Sequence, residues 1–209
     1  MLANAIFTPY DVKQIRQMQE QNQITKVSAL KEPKFIKPIA IEYMLNGQKR
    51  KWEAVISHDS VAILLYHIQK EAFVIVKQLR VPVLNANKTD GMMHELCAGI
   101  VDKELSLAQI AQEEVLEECG YNVPLKSVQK VSTFYTSVGI SGAKQTFFYT
   151  EIDESMKVTE GGGLSDEDIE VIYIPLSKAK EFMFDESMQK TPGLMMAFYW
   201  WFDNSQRGN

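Results

Sequence analysis

The chain has 209 residues, 45% of them hydrophobic and 23% charged, an ordinary composition for a soluble globular protein with a sizeable core. Its formal net charge of −5 argues against a nucleic-acid-binding protein, and two cysteines are too few for a secreted disulfide scaffold. No apolar run has the length of a membrane span, and the apolar start lacks the basic residues of a signal peptide. These features favour a cytoplasmic protein that binds neither nucleic acid nor membrane.

Residues 1–58 are predicted to form a small N-terminal unit made of a helix and a β-hairpin. The helix is predicted over 9–23, and two extended stretches, 38–44 and 51–56, flank the turn-forming pair Asn46-Gly47. A unit of this size is too small to be stable alone. We therefore expect it to lean on the rest of the chain or on a second subunit.

The remainder of the chain, 59–209, is predicted to form one α/β domain, with a loop over 79–90. The predicted strands are 61–66, 72–78, 93–98, 128–135, 145–152 and 169–174, and the predicted helices are 106–119, 177–184 and 192–202. Mixed strands with helices between and after them predict an α/β sandwich.

The helix over 106–119 has the clearest boundaries. Ser106 is a good N-cap, Gln109 stands at the capping-box position, and Gly120 can adopt the left-handed conformation that ends a helix. The boundaries in turn fix which side chains share a face of the helix.

Three glutamates crowd one side of this helix near its C-terminus. On a helical wheel Glu114 and Glu118 lie one turn apart at the margin of the apolar stripe, and Glu117 is close to both. An acidic run is more often a solvated helix face. Here, however, neighbouring carboxylates would repel by roughly 3 kcal/mol per closest pair, and the helix dipole disfavours them further. A bound divalent cation, Mg²⁺ or Mn²⁺, would remove this conflict.

The segment from Gly99 to Tyr121 resembles the Nudix box, whose pattern is G-x5-E-x7-R-E-U-x-E-E-x-G-U with U a bulky apolar residue. The positions that agree are Gly99, Glu114, Val115, Glu117, Glu118, Gly120 and Tyr121. Leu105 replaces the first Glu of the pattern, and Glu113 replaces its Arg. The second change removes a cation that would hold a metal-binding glutamate in place.

The resemblance extends over most of residues 45–203 and implies a Nudix α/β/α sandwich with a mixed sheet, preceded by the small N-terminal β unit. It points to the branch that hydrolyses nucleoside diphosphate sugars and ADP-ribose, and it implies a homodimer. The implied reaction cleaves the pyrophosphate bond of a small-molecule nucleoside diphosphate sugar, giving nucleoside monophosphate and sugar phosphate. The segment 137–146, where Val138 replaces the Pro of ADP-ribose enzymes, favours UDP-sugars.

The same resemblance implies the residues of a site. Mg²⁺, or Mn²⁺ in its place, would be held by the Ala98 carbonyl and by the carboxylates of Glu95, Glu114, Glu117 and Glu118. Arg80 would bind substrate phosphate, since it ends a strand and offers parallel donors. Trp52 would stack on the base, or would only pack against its own unit. Further implied substrate contacts are Ser141, Lys144 and Gln145.

A carboxylate must also take the proton of the attacking water. The resemblance places it on the acidic loop 160–168, where Glu167 matches best and Asp166 is the alternate. Some relatives use the box helix instead, for which Glu117 is the candidate. The glycines at 161–163 are expected to let this loop close over the site.

Two other functions stay open at this point. An ADP-ribose diphosphatase is favoured by Trp52 and disfavoured by Val138. A non-catalytic nucleotide-sugar-binding Nudix module would account for Leu105 and Glu113, although the retained helix glutamates argue against it.

Overall fold

The computed structural model describes residues 23–28, 30–33, 36–87, 90–164 and 167–207. The predicted helix over 9–23 lies outside these residues except for its last position, and Asp166 lies outside them as well. Across the described ranges, no helix combines the length and the apolarity needed to cross a lipid bilayer.

An antiparallel hairpin precedes the main domain, as predicted. Its strands β1 (Lys37–Leu45) and β2 (Gln48–Ile56) form a two-stranded sheet of their own. The turn residues Asn46 and Gly47 have φ of 53° and 75°, as a two-residue hairpin turn requires. Most side chains of both strands are exposed, so these strands enclose little core between them. The domain boundary at residue 58 stays a prediction.

The main sheet has seven strands and is mixed. They are β3 (Ser60–His67), β4 (Ala72–Leu79), β5 (Met92–Glu95), β6 (Cys97–Ile100), β7 (Gln129–Tyr135), β8 (Lys144–Ile152) and β9 (Ile169–Pro175). The strand order is β5-β4-β3-β8-β7, with β6 paired to β3 and β9 paired to β4. β3 and β8 are parallel, and the other pairs are antiparallel.

The sheet opens between its two central strands. β3 and β4 pair only through 65–67 and 72–74, and beyond these residues β6 occupies the edge of β3 while β5 pairs with β4. The segment from β5 to β6 therefore crosses the opening. The single strand predicted over 93–98 is in fact two strands, because its halves bond to different neighbours.

Helices cover both faces of the sheet. They are α1 (Val81–Asn87), α2 (Leu107–Cys119), α3 (Leu176–Phe184) and α4 (Pro192–Arg207), with short 3-10 turns at Leu125–Ser127 and Glu154–Met156. Alternate residues of β3 and β4 face opposite sides. The side toward α2 buries Val61, Ile63, Val74, Val76, Ile110 and Val115, and the side toward α3 and α4 buries Ala62, Leu64, Phe73, Ile75, Phe182 and Phe198. The result is the predicted three-layer α/β/α sandwich.

Helix α1 corrects the loop predicted over 79–90. The Val83 and Leu84 amides both donate to the Arg80 carbonyl, at 2.8 and 3.0 Å, so this helix starts directly after β4. Pro82 fits its first turn. A seven-residue helix is too short to show an amphipathic period, which is why the pattern missed it.

Candidate active site

Helix α2 has the caps that its sequence predicts. The Gln109 amide donates to the Ser106 hydroxyl oxygen at 3.3 Å, and the Ser106 amide donates to the Gln109 side-chain oxygen at 3.1 Å. Gly120 ends the helix with φ 76°. Between these caps, Val115 and Cys119 are fully buried against the sheet.

Glu118 is placed by the helical wheel at the margin of the apolar stripe, but in the structure it is buried. Its side chain is 4% exposed, and its Oε2 accepts a hydrogen bond from the Ala98 amide at 3.0 Å. Burial raises the pKa of Glu118 to about 8, although the Ala98 amide and the Cys97 thiol both favour the charged form. The box helix is thus joined to β6, at the opening of the sheet.

Glu114 lies one turn earlier, against Gly99. A Cβ at Gly99 would overlap the Glu114 carboxylate, so any larger residue there would displace this side chain from its position against β6. Burial, with the charge of Glu117 second, raises the pKa of Glu114 to about 7. Of the predicted cluster, Glu114 and Glu118 therefore lie against β6 at the opening of the sheet, and Glu117 acts on Glu114 through its charge.

Arg80 and Glu95 form a bidentate ion pair beside this cluster. Nε and Nη2 of Arg80 donate to the two carboxylate oxygens of Glu95 at 2.7 and 2.6 Å. The hydrogen bonds to Glu95 raise the pKa of Arg80, and the charges of Glu118 and Glu167 act in the same direction. Arg80 therefore places a positive charge among the carboxylates.

Glu167 reaches the same region from the acidic loop. Its Oε2 accepts from the Leu164 amide at 2.9 Å, and its charge raises the pKa of both Glu114 and Glu118. Whether it acts as the base stays a prediction. The alternate, Asp166, lies outside the described residues.

The glycines of this loop are docked on α2. The Gly162 amide donates to the Glu118 carbonyl at 2.9 Å, and the Gly163 amide donates to the Glu117 carbonyl at 3.1 Å. These bonds satisfy carbonyls that the end of a helix leaves without partners. In this structure the segment is held against the helix and carries Glu167 near Glu114 and Glu118, and its closure on substrate binding stays a prediction.

Lys103 is a site residue that the sequence did not indicate. Its Nζ donates to Glu113 Oε2 at 2.9 Å, and its charge lowers the pKa of Glu114. Glu113 is the position at which the box lacks its Arg. A lysine three residues after β6 has no periodic signal, and only the folded chain brings it to this side of α2.

The donors around the cluster suit a hard divalent cation. They are carboxylate and carbonyl oxygens, the ligands that Mg²⁺ and Mn²⁺ prefer, and two of the carboxylates have a pKa raised by burial. In the described part of the chain, no three acidic, histidine or cysteine side chains are already close enough together to hold an ion. The donor chemistry therefore fits the predicted metal, and ligation requires the side chains to converge further.

Trp52 lies at the contact between the hairpin and the main domain. Its indole N–H donates to the Gly139 carbonyl at 2.9 Å, and the Val55 amide donates to the Ile140 carbonyl at 2.7 Å. The Ser57 and Ser141 hydroxyls are 2.9 Å apart. The indole is nevertheless 52% exposed, so stacking on a base stays a prediction that this geometry allows.

Lys144 and Gln145 are the first two residues of β8, directly after the loop that contacts Trp52. The Lys144 amide donates to Asp59 Oδ1 at 2.8 Å, and its Nζ lies 5.8 Å from the Tyr135 ring centre. Gln145 lines a cavity of about 450 Å³ that lies between the opening of the sheet and the start of α4 and also includes Glu95 and Ala98. The structure thus brings Gln145 close to the predicted metal ligands, while Lys144 lies outside the cavity lining.

Comparison with known proteins places the chain among Nudix enzymes. The chain is 33% identical over 197 residues to the uridine diphosphate glucose pyrophosphatase NUDT14 of Bos taurus and 34% identical to that of Mus musculus, covering 80% of this chain and 88% of each relative. It is 36% identical over 138 residues to the GDP-mannose pyrophosphatase of Pectobacterium atrosepticum, covering 66% of this chain and 70% of the relative. No family model matches the chain. Box, fold and relatives agree, and the chain belongs to the Nudix hydrolases, among the nucleoside diphosphate sugar pyrophosphatases.

Proposed function

We propose that this protein hydrolyses the pyrophosphate bond of nucleoside diphosphate sugars, UDP-sugars first among them, to nucleoside monophosphate and sugar 1-phosphate. The observation that carries the proposal is the position of Glu114 and Glu118 of α2 against β6, near the Arg80–Glu95 ion pair at the opening of the sheet. The names of the relatives, a UDP-glucose pyrophosphatase and a GDP-mannose pyrophosphatase, support this substrate class.

Mg²⁺, with Mn²⁺ as a substitute, is the proposed cofactor. Glu95, Glu114, Glu117, Glu118 and the Ala98 carbonyl would hold it. When bound, it would neutralise the diphosphate and lower the pKa of an attacking water. Support comes from the oxygen donors and from the raised pKa values of the partly buried Glu114 and the buried Glu118, which indicate a site that favours added positive charge.

The chain's own residues would then bind the substrate and move the proton. Arg80 pairs two of its N–H groups with Glu95 and has further N–H groups to donate to a phosphate oxygen. Glu167 would accept the proton of the attacking water, and Glu117 is the alternative on the box helix. Trp52 would offer its exposed ring to the base.

Two finer statements belong to the same proposal. A homodimer is supported by the exposed apolar residues of the hairpin, Ile41, Met44 and Leu45 among them, which a second copy would cover. A cytoplasmic location is supported by two buried cysteines that form no disulfide.

ADP-ribose is the alternative substrate, and the exposed indole of Trp52 is the observation that favours it. The experiment measures nucleoside monophosphate release from UDP-glucose, UDP-galactose, GDP-mannose and ADP-ribose with Mg²⁺. We expect the highest kcat/KM with a UDP-sugar. Preference for ADP-ribose would replace the substrate assignment, and turnover of none of the four would contradict the proposed function.

A further inference from the structure

We propose that the cavity beside Glu95 and Ala98 binds the sugar of the nucleoside diphosphate sugar, and that Gln145 and Gly193 determine which sugars fit. This inference rests on the proposed function. It adds the place of the sugar in the fold and the residues that select it.

The position of the cavity supports this assignment. One wall is formed by Glu95 and Ala98, which are proposed to hold the metal that neutralises the diphosphate, and Glu95 is paired with Arg80, the proposed phosphate-binding residue. In a nucleoside diphosphate sugar, the sugar is joined directly to the β-phosphate through its anomeric oxygen, whereas the base is separated from the α-phosphate by ribose. A cavity that begins at the diphosphate site is therefore within reach of the sugar.

The lining of the cavity suits a neutral polyhydroxyl ligand. Thr136, Ser137, Gln145 and Thr191 offer neutral donors and acceptors, while Phe134 and Met196 offer apolar surface for the C–H face of a sugar ring. Within the described residues, Glu95 is the charged member of the lining. The cavity has a volume of about 450 Å³, which lies in the ordinary range for a small-molecule site, about 300–1,000 Å³.

Gln145 is held in place for such a role. Its Nε2 donates to the Ser60 hydroxyl at 3.2 Å, which fixes the orientation of the amide. Its Oε1 lies 3.4 Å from the position that a Cβ would take at Gly193. The absence of a side chain at Gly193 therefore keeps open the space in front of this oxygen, and a larger residue there would fill it.

The proposed site for the nucleotide base, the Trp52 indole, is separate from the cavity. Trp52 bonds to Gly139, whereas Ser137, two residues earlier on the same loop, lines the cavity. The loop thus has an exposed indole on one part and the cavity on another. We therefore assign the base and the sugar of the substrate to these two different parts of the loop.

The test compares Gly193→Leu with Asn204→Leu, a change to the same residue on an exposed part of the same helix. Each variant is assayed with UDP-glucose and with the uridine diphosphate methyl ester, in which a methyl group replaces the sugar. Gly193→Leu should lower kcat/KM for UDP-glucose about tenfold or more and leave the methyl ester within about threefold. Asn204→Leu should change neither. Since leucine favours helix more than glycine does, the fold should persist, and circular dichroism checks this.

A second variant, Gln145→Leu, removes both polar atoms at similar volume. It should change the ratio of kcat/KM for UDP-glucose over UDP-galactose and leave the ratio for UDP-glucose over ADP-glucose unchanged. Equal losses with UDP-glucose and the methyl ester, or an altered preference among bases, would overturn the sugar assignment alone. If the wild type hydrolyses none of these compounds, the proposed function fails and this inference fails with it.

Discussion

Lys103 puts a positive charge beside the box carboxylates in a chain whose box has Glu113 where the pattern has Arg. The Lys103–Glu113 bond of 2.9 Å holds this ammonium where it lowers the pKa of Glu114. A cation from another segment thus lies near Glu114 although the box itself has no Arg. Both side chains are partly exposed, so water and salt screen the effect.

Substitution of Lys103 by Ala should therefore weaken, but not abolish, metal use. We expect the Mg²⁺ concentration for half-maximal activity to rise about two- to fivefold, which corresponds to the upper range for an exposed ion pair. Calorimetric titration of the protein with Mg²⁺ should show the same change without substrate.

The control is Lys178→Ala, which breaks an exposed ion pair with Glu181 on α3. It should leave the Mg²⁺ requirement unchanged. The double variant Lys103→Ala, Glu113→Arg restores the box arginine and should recover affinity. Equal effects of Lys103→Ala and Lys178→Ala would show that Lys103 has no special relation to the site.

His67 should make the free energy of unfolding depend on pH, and it lies outside the candidate active site. Its side chain is fully buried, and burial, with Lys70 second, lowers its pKa below the ordinary 6.5, although the bond to Glu154 acts against this. Below pH 6.5 the unfolded chain therefore binds the proton more readily than the folded chain, and stability falls as the pH falls. We expect the free energy of unfolding to drop less between pH 7.5 and 5.5 in His67→Gln than in the wild type, by urea titration.

His58→Gln is the matched control, since His58 is exposed. It should keep the pH dependence of the wild type. A wild-type slope in His67→Gln would mean that other groups cause the loss of stability in acid.

At the scale of elements, the site depends on the docking of the 161–163 segment on the C-terminus of α2. Gly161 has φ 76°, and a Cβ there would meet the Glu118 carbonyl. Gly161→Ala should lower the free energy of unfolding by about 3 kcal/mol, from the positive φ and the overlap together. It should also lower activity, because Glu167 is displaced.

The variant Gly47→Ala separates the cost of the positive φ from the cost of the steric overlap. Gly47 has nearly the same φ, 75°, but nothing lies within 4 Å of its Cβ position. The free energy of unfolding should therefore fall by only about 1 kcal/mol in Gly47→Ala. Chemical denaturation measures both variants, and similar losses would contradict a structural role for the close contact at Gly161.

The elements differ in how far their sequence predicts them. Caps and a long apolar period identify α2, and Asn46-Gly47 identifies the hairpin, because these signals are local. The break between β5 and β6 and the depth of Glu118 depend on which strands lie beside them, which no local pattern carries. Lys103 was missed for the same reason, since its partner Glu113 is ten positions away on another element.

At the scale of the whole molecule, the hairpin's exposed apolar surface predicts a dimer. Ile41 is 44% exposed on β1, and a charge there should oppose association through this surface. Sedimentation equilibrium should show twice the chain mass for the wild type, and Ile41→Glu should raise the dimer dissociation constant about tenfold or more.

Ile68→Glu places the same charge at an isoleucine of the main domain with similar exposure, 48%. It should leave the dimer intact. A monomeric wild type, or equal effects of the two substitutions, would remove the hairpin from the proposed interface.

We propose that Glu114, Glu117 and Glu118 of α2 hold the metal that supports pyrophosphate hydrolysis, and Glu118→Gln removes the most deeply buried of these carboxylates. The amide oxygen can still accept from the Ala98 amide, so the fold should persist while a charged ligand is lost. With UDP-glucose and saturating Mg²⁺, we predict that UMP release falls at least about 100-fold in Glu118→Gln and is unchanged in Glu181→Gln, an exposed glutamate on α3. A Glu118→Gln variant that keeps the wild-type rate would show that Glu118 holds no metal needed for hydrolysis.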